Sequence, residues 1–137
     1  MKSQTRRVYR YTETVPLTAV SLRRRYRVEL RRLLARVWER YGRGPVPGLT
    51  FRRSADTSQA ITYRNGDREI QLAPSHECVY VLLHEIAHLC VREKVEHGPR
   101  FMALYIKLMA EYGRMDEGEL LINAGLYGIK VHGFTHH

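Results

Sequence analysis

The chain has 137 residues, 44% of them hydrophobic, and a formal net charge of +9. This length predicts a single globular domain, residues 1–137, with one modest core and little room for a second module. No apolar stretch is long enough to span a bilayer, and the residues after Met1 are basic where a signal peptide would have an apolar core. We therefore expect a cytoplasmic protein that does not enter a membrane.

The positive charge is concentrated in the first half of the chain. Residues 1–68 contain 17 Lys or Arg against 5 Asp or Glu, whereas residues 69–137 contain 6 against 9. Nineteen of the basic residues are arginine, which forms bidentate contacts with phosphates and carboxylates. A nucleic-acid partner for this half is one interpretation. A solvated basic surface in an arginine-rich composition is the other.

The first predicted elements are a strand and a long helix. Val8 to Thr14 alternates as a strand does, and Pro16 ends it. Thr18 or Ser21 is placed to cap a helix that runs to the loop Gly42 to Gly48. The apolar stripe of this helix is Leu22, Tyr26, Leu30, Leu33, Leu34, Val37 and Tyr41. Arginines occupy much of the opposite arc: Arg24, Arg25, Arg27, Arg31, Arg32 and Arg36.

Three short strands are predicted next, at Leu49 to Arg53, Ala60 to Tyr63 and Glu69 to Leu72. Asn65-Gly66 is a strong turn signal between the last two. Strands this close together in sequence predict an antiparallel meander.

A buried helix that carries charged residues follows the strands. Pro74-Ser75 begins it, and Glu77 in its first turn would complement the helix dipole. The run Val79 to Val91 is apolar nearly all round, as in a helix surrounded by core. Within it lies the HExxH sequence His84-Glu85-Ile86-Ala87-His88. Burying these polar side chains is costly unless they have partners.

The spacing of this motif indicates a zinc site. Positions i and i+4 of a helix differ by about 40° around its axis, so His84 and His88 project from one face and can share a metal. Glu85 is placed to reach a water on that metal, a role that fits catalytic and not structural zinc.

The next histidine, His97, is the predicted third ligand. A helix that ends near Arg92 or Glu93 would let the chain turn and bring His97 back to the metal. Three protein ligands leave one tetrahedral position for water. Glu93 and Glu96 compete with His97 for this role, since carboxylates also serve as ligands in zinc hydrolases.

Two further helices are expected after His97. The first begins at Pro99 and ends near Gly113, with an apolar face of Phe101, Leu104, Tyr105, Leu108 and Met109. The second runs from Asp116 to Ala124 and precedes a tail that includes Lys130, His132, His136 and His137. The two histidines at the end are expected to belong to a disordered terminus or to residues added to the native chain.

HEIAH at 84–88, followed by His-Gly-Pro-Arg-Phe at 97–101, resembles the SprT-like branch of the zincin metallopeptidases. The likeness covers about a quarter of the chain, from Glu77 to Met109, and is closest to the small bacterial and phage proteins of that type. It implies an α+β, zincin-like fold with a long N-terminal helix, a short and mainly antiparallel sheet, the HExxH helix and C-terminal helices. It also implies that the strand before the HExxH helix is the sheet edge to which a peptide substrate adds.

The resemblance has limits. Many SprT-like proteins carry a cysteine-rich zinc ribbon, and the two cysteines here, Cys78 and Cys90, cannot build one. The best-known members cleave proteins associated with DNA, but these motifs do not carry that substrate class over.

The predicted function is that of a zinc-dependent metallopeptidase acting on a protein or peptide, with Glu85 as general base. One alternative is a basic nucleic-acid-binding protein with a structural zinc. Another is a hydrolase of non-peptide amides or esters, which would use the same residues. The residue that stabilises the oxyanion stays open among Tyr80, Arg100, Tyr127 and His132.

Overall fold

A computed structural model of the chain describes residues 4–14, 22–92 and 97–133. The elements found there are α1 (Thr5–Thr14), α2 (Arg27–Tyr41), β1 (Gly48–Phe51), β2 (Gln59–Thr62), β3 (Arg68–Leu72), a 3-10 turn (Pro74–His76), α3 (Val79–Cys90), α4 (Pro99–Tyr112) and α5 (Glu117–Leu126). The fold is therefore α+β. No helix among the described residues has the length and apolar character needed to cross a membrane.

The chain forms two compact units, one of residues 22–90 and one of residues 1–21 together with 91–137. The first unit contains the sheet, α2 and α3, and the second contains α1, α4 and α5. The number of separately folding domains stays a prediction.

The sheet is mixed, and the predicted antiparallel meander is wrong for one of its two pairings. Its strand order is β1-β3-β2. β2 and β3 form the expected antiparallel hairpin around Asn65-Gly66, where Gly66 has a φ of 93° that suits glycine. β1 instead runs parallel to β3, with Leu49 opposite Ile70. The long connection between β1 and β2 lets β1 bypass its neighbour in sequence and reach the far side of β3.

This order also corrects the expected position of the substrate edge. β3 is the strand before the HExxH helix, and it has a strand on each side. Its backbone groups are therefore used within the sheet, and no peptide can add to it. The edges of the sheet are β1 and β2.

The HExxH helix α3 is the most buried element of its unit. Eight of its side chains are buried: Val79, Val81, Leu82, Leu83, Glu85, Ile86, Ala87 and Leu89. α3 packs beside α2, β2 and β3, so the apolar surround inferred from the sequence is confirmed.

The beginning of α3 differs from the prediction. Pro74 starts a separate 3-10 turn, and the α-helix begins only at Val79. Glu77 lies between the two elements and outside the first turn of the helix. Its carboxylate is buried and paired with arginines.

The apolar stripe predicted for the arginine-rich helix is only partly buried. Leu30, Leu34 and Val37 are buried in α2, together with Trp38, which the stripe did not include. Leu22 and Tyr26 precede α2 and are 50% and 78% exposed, because the helix starts at Arg27. The proposed caps Thr18 and Ser21, like Pro16, lie outside the described residues.

Residues 8–14, predicted as a strand, belong to helix α1. The alternation of aromatic and β-branched residues suggested a strand, but the buried side chains follow a helical period. Gln4, Val8 and Tyr11 are buried, and the neighbouring Arg6 and Arg7 are exposed. Because the first residue of this period is a buried glutamine, the pattern of apolar residues alone does not indicate the helix.

The two C-terminal helices agree with the prediction. α4 has Pro99 in its first turn, and the backbone N–H of Gly113 closes its end by donating to the carbonyl of Met109. α5 starts after Asp116, whose carboxylate accepts a hydrogen bond from the backbone N–H of Glu119 at 2.8 Å. It extends two residues beyond the predicted end at Ala124.

Candidate metal centre

His84 and His88 lie one helical turn apart on α3, and both side chains are partly exposed. Their Nε2 atoms are 3.1 Å apart, and the two rings are inclined by 71°. Two nitrogen ligands on one tetrahedral zinc, each at about 2.0–2.1 Å, stand about 3.3 Å apart. The pair therefore already has nearly the separation that a shared zinc requires.

Glu85 follows His84 on the same helix and is only 7% exposed. An ionised carboxylate at such a position is costly unless it has a partner. Glu85 has a hydrogen-bonding or electrostatic partner within the molecule.

His97 lies just before α4 and is almost fully buried, with 1% of its surface exposed. Its backbone is left-handed, with a φ of 53°, which is uncommon for a residue other than glycine. Gly98 and Pro99 follow as the N-cap and first residue of α4.

The surroundings of the His97 ring are specific. Thr5 Oγ1 is hydrogen-bonded to His97 Nδ1 at 3.0 Å. The rings of Tyr9 and Phe101 meet the imidazole edge to face, with centroids 5.5 and 5.0 Å away. Three side chains from α1 and α4 thus hold one buried histidine.

One candidate ligand atom from each of His84, His88 and His97 lies within 4.8 Å of the other two. Ligand atoms around one tetrahedral zinc stand about 3.3 Å apart, so this group is wider than a zinc site by up to about 1.5 Å. Three imidazoles form a donor set that zinc accepts. The competing ligands Glu93 and Glu96 lie outside the described residues.

The four candidates for oxyanion stabilisation differ in their contacts. Burial raises the pKa of the Tyr80 hydroxyl, so it stays protonated and able to donate a hydrogen bond. Tyr127 packs edge to face against Tyr11, with ring centroids 6.4 Å apart. The backbone N–H of His132 donates to the carbonyl of Pro99 at 3.0 Å, while the side chains of His132 and Arg100 are exposed. None of these contacts assigns the role, which stays a prediction.

Several arginines of the basic half are engaged within the protein. Arg24 and Arg27 pair with the buried carboxylate of Glu77, and Arg25 pairs with Glu29 at 3.2 Å. The guanidinium of Arg27 also lies 4.5 Å from the centre of the Phe51 ring. Part of the arginine excess therefore stabilises the fold.

Thr5 and Tyr9 are site residues that the sequence did not reveal. Thr5 is separated from His97 by 92 residues and carries no motif of its own. The only usable signal is the helical period of α1, which places Thr5 and Tyr9 one turn apart on the same face.

No protein-family model, curated protein or solved structure matches this chain.

Proposed function

We propose that the chain is a zinc-dependent metallopeptidase similar to the SprT-like zincins, with His84, His88 and His97 as ligands. The observation that carries the proposal is this group of three histidines with a buried glutamate beside it on the same helix. A structural zinc site is closed by four protein ligands, whereas three leave one position for water or substrate. Three is the number of ligands found among residues 4–14, 22–92 and 97–133, and this donor set favours catalysis.

Glu85 is the proposed general base. Zinc in such a site lowers the pKa of water to about 7 and polarises a carbonyl group. The Glu85 carboxylate would accept a proton from the attacking water and later deliver it to the leaving amine. Because Glu85 is only 7% exposed, little bulk water competes for that proton.

An extended peptide is the proposed substrate, and the outer edge of β2 is the proposed docking strand. Among the described residues, β2 pairs only with β3, so its second edge has no strand beside it. The HExxH helix packs against β2. A peptide that adds to this edge would gain main-chain hydrogen bonds without a demand on its sequence.

The decisive experiment compares Glu85→Gln with the wild-type protein. Glutamine keeps the size of the side chain but cannot accept the proton, so hydrolysis of a disordered fluorescent protein substrate should fall by about 10²-fold or more. Zinc content measured by elemental analysis should stay at one ion per chain. Glu117→Gln, at an exposed glutamate of α5, is the matched control and should change neither quantity.

Two results would contradict the proposal. Full activity in Glu85→Gln would exclude this residue as the base. Purified wild-type protein that takes up no zinc would exclude the metal centre itself.

A nucleic-acid-binding protein with a purely structural zinc is the competing function. The observation in its favour is the exposed face of α2, with Arg31, Arg32 and Arg36. It predicts DNA affinity that falls steeply with salt and does not change in Glu85→Gln. Against it, Arg24 and Arg27, which also belong to the basic segment, are committed to Glu77.

A further inference from the structure

We propose that Thr5 is a positioning residue for the metal centre, because its hydroxyl fixes the imidazole of the proposed ligand His97. The inference rests on the proposed zinc site and adds to it a residue from α1, an element without any ligand. In this role Thr5 acts through His97.

The hydrogen bond determines which nitrogen of His97 would bind the metal. Thr5 Oγ1 is 3.0 Å from Nδ1, so Nε2 is the nitrogen with which His97 would ligate. A neutral imidazole that ligates through Nε2 carries its proton on Nδ1, and that N–H donates to the threonine oxygen. Partners of this kind orient the ring and make the other nitrogen a better ligand.

The position of Thr5 is fixed by contacts on either side of it in the chain. The preceding residue, Gln4, is buried, and its side-chain amide donates to the carbonyl of Lys130 at 3.0 Å. The backbone N–H of Lys130 donates back to Gln4 Oε1 at 2.9 Å. Further along α1, the hydroxyl of Tyr11 donates to the carbonyl of Leu120 at 3.1 Å. Helix α1 therefore holds Thr5 in place through bonds to residues far along the chain.

Two aromatic rings also restrict the motion of the His97 imidazole. Tyr9, one turn after Thr5, and Phe101, in the first turn of α4, both meet the imidazole edge to face. Packing against these rings limits the tilt of the imidazole, but apolar contacts do not favour either of its two flipped orientations. The hydroxyl of Thr5 selects one of them, because only that orientation places Nδ1 beside it.

The test is the zinc affinity of Thr5→Val, measured by competition with a chromophoric chelator. Valine has nearly the shape of threonine and lacks the hydroxyl. We expect zinc to bind about 10- to 100-fold more weakly, the usual cost of removing such a partner. Thr5→Ser restores a hydroxyl and should recover most of the affinity. Thr5→Ala, which also suits a helix, should match the valine variant and serves if valine prevents folding.

Thr12→Val is the matched control. It removes a hydroxyl from the same helix by the same substitution, and among the described residues that hydroxyl donates to the carbonyl of Val8 at 2.6 Å. Its zinc affinity should equal that of the wild type. Wild-type affinity in Thr5→Val and Thr5→Ala, or equal losses in Thr5→Ser and Thr5→Val, would overturn the role of the hydroxyl. A wild-type protein that binds no zinc would instead overturn the proposed function.

Discussion

Arg27 donates two hydrogen bonds to the buried carboxylate of Glu77, from Nε to Oε1 at 3.1 Å and from Nη2 to Oε2 at 3.5 Å. The Glu77 side chain is 2% exposed, while that of Arg27 is 59% exposed. Arg24 adds a weaker contact at 3.5 Å. Glu77 lies two residues before α3, so the pair joins the arginine-rich segment to the start of the HExxH helix.

Replacing Arg27 should destabilise the fold. Arg27→Gln leaves the buried carboxylate of Glu77 short of its main partner, which costs about 1–3 kcal/mol for a group out of contact with water. Chemical denaturation should show this loss in the free energy of unfolding. Arg32→Gln removes an exposed arginine from the same helix and should stay within about 0.5 kcal/mol of the wild type.

The same pair of variants bears on the basic surface. If Arg27→Gln kept full stability and instead lost affinity for a single-stranded oligonucleotide, Arg27 would be a ligand-binding residue and the ion pair incidental. A salt titration of binding supplies that readout.

Much of the fold follows from local sequence signals, and the exceptions have physical causes. Turn residues, caps or the period of apolar residues predict three elements: the hairpin at Asn65-Gly66, the helix from Pro99 and the buried HExxH helix. No local signal predicts the parallel pairing of β1, because strand order depends on tertiary packing. The helix at α1 was missed because its first buried residue is Gln4, which a binary apolar pattern counts as polar.

The site shows the same division. His84 and His88 are a fixed distance apart on one helix, so their proximity can be predicted from spacing alone. His97 could be placed only through an inferred turn. The contact of Thr5 with His97 could not be predicted, because it depends on how α1 is anchored by Gln4 and Tyr11.

Zinc should stabilise the protein as well as enable catalysis. A ligand that binds only the folded state at 100 times its dissociation constant adds about 2.7 kcal/mol. We therefore expect a chelator to lower the melting temperature of the wild type, and added zinc to restore it. His88→Ala should lose this response, because it removes one of the two imidazoles that stand 3.1 Å apart.

His132→Ala, at an exposed histidine outside the group, should respond to zinc like the wild type. An equal zinc response in His88→Ala would mean that the stabilising ion binds elsewhere. The measurement needs no substrate and is independent of any peptidase assay.

Proline substitutions can test the outer edge of β2 as the substrate-binding strand. The backbone N–H of Tyr63 donates to the carbonyl of Asp67, so strand alternation directs the N–H of Ile61 toward β3 and that of Ala60 outward. Ala60→Pro should keep the sheet and raise KM about threefold to tenfold, the value of one lost hydrogen bond of about 0.5–1.5 kcal/mol. Ile61→Pro should break the ladder and destabilise the fold by about 3 kcal/mol.

Comparing Ala60→Pro with Ile61→Pro separates a loss of substrate binding from a loss of folding. A normal KM in a folded Ala60→Pro protein would remove β2 as the docking strand while leaving the metal centre untouched. A rise in KM only for peptides long enough to lie along the strand would support it further.

Stability should fall in alkaline solution, since burial raises the pKa of the Tyr11 hydroxyl and of the Cys78 thiol. In the unfolded chain these groups ionise near their ordinary pKa values, about 10 and about 8.5, while the folded protein keeps them neutral. Their contribution is complete below those values and is lost as the pH rises through the range up to the folded pKa. For each group, the free energy of unfolding falls by up to about 1.4 kcal/mol per pH unit.

Tyr11→Phe isolates the tyrosine in this pH dependence. Phenylalanine fills the buried site but cannot ionise. The decline in the free energy of unfolding above about pH 10 should therefore become shallower by the contribution of one ionising group. At neutral pH the variant should be less stable by about 1 kcal/mol, because the hydrogen bond to the carbonyl of Leu120 is lost. An unchanged slope in denaturation measured between about pH 9 and 11 would show that the Tyr11 hydroxyl ionises as easily in the folded protein as in the unfolded chain. The anchor that α1 makes to Leu120 would then be open to solvent, contrary to the buried contact seen here.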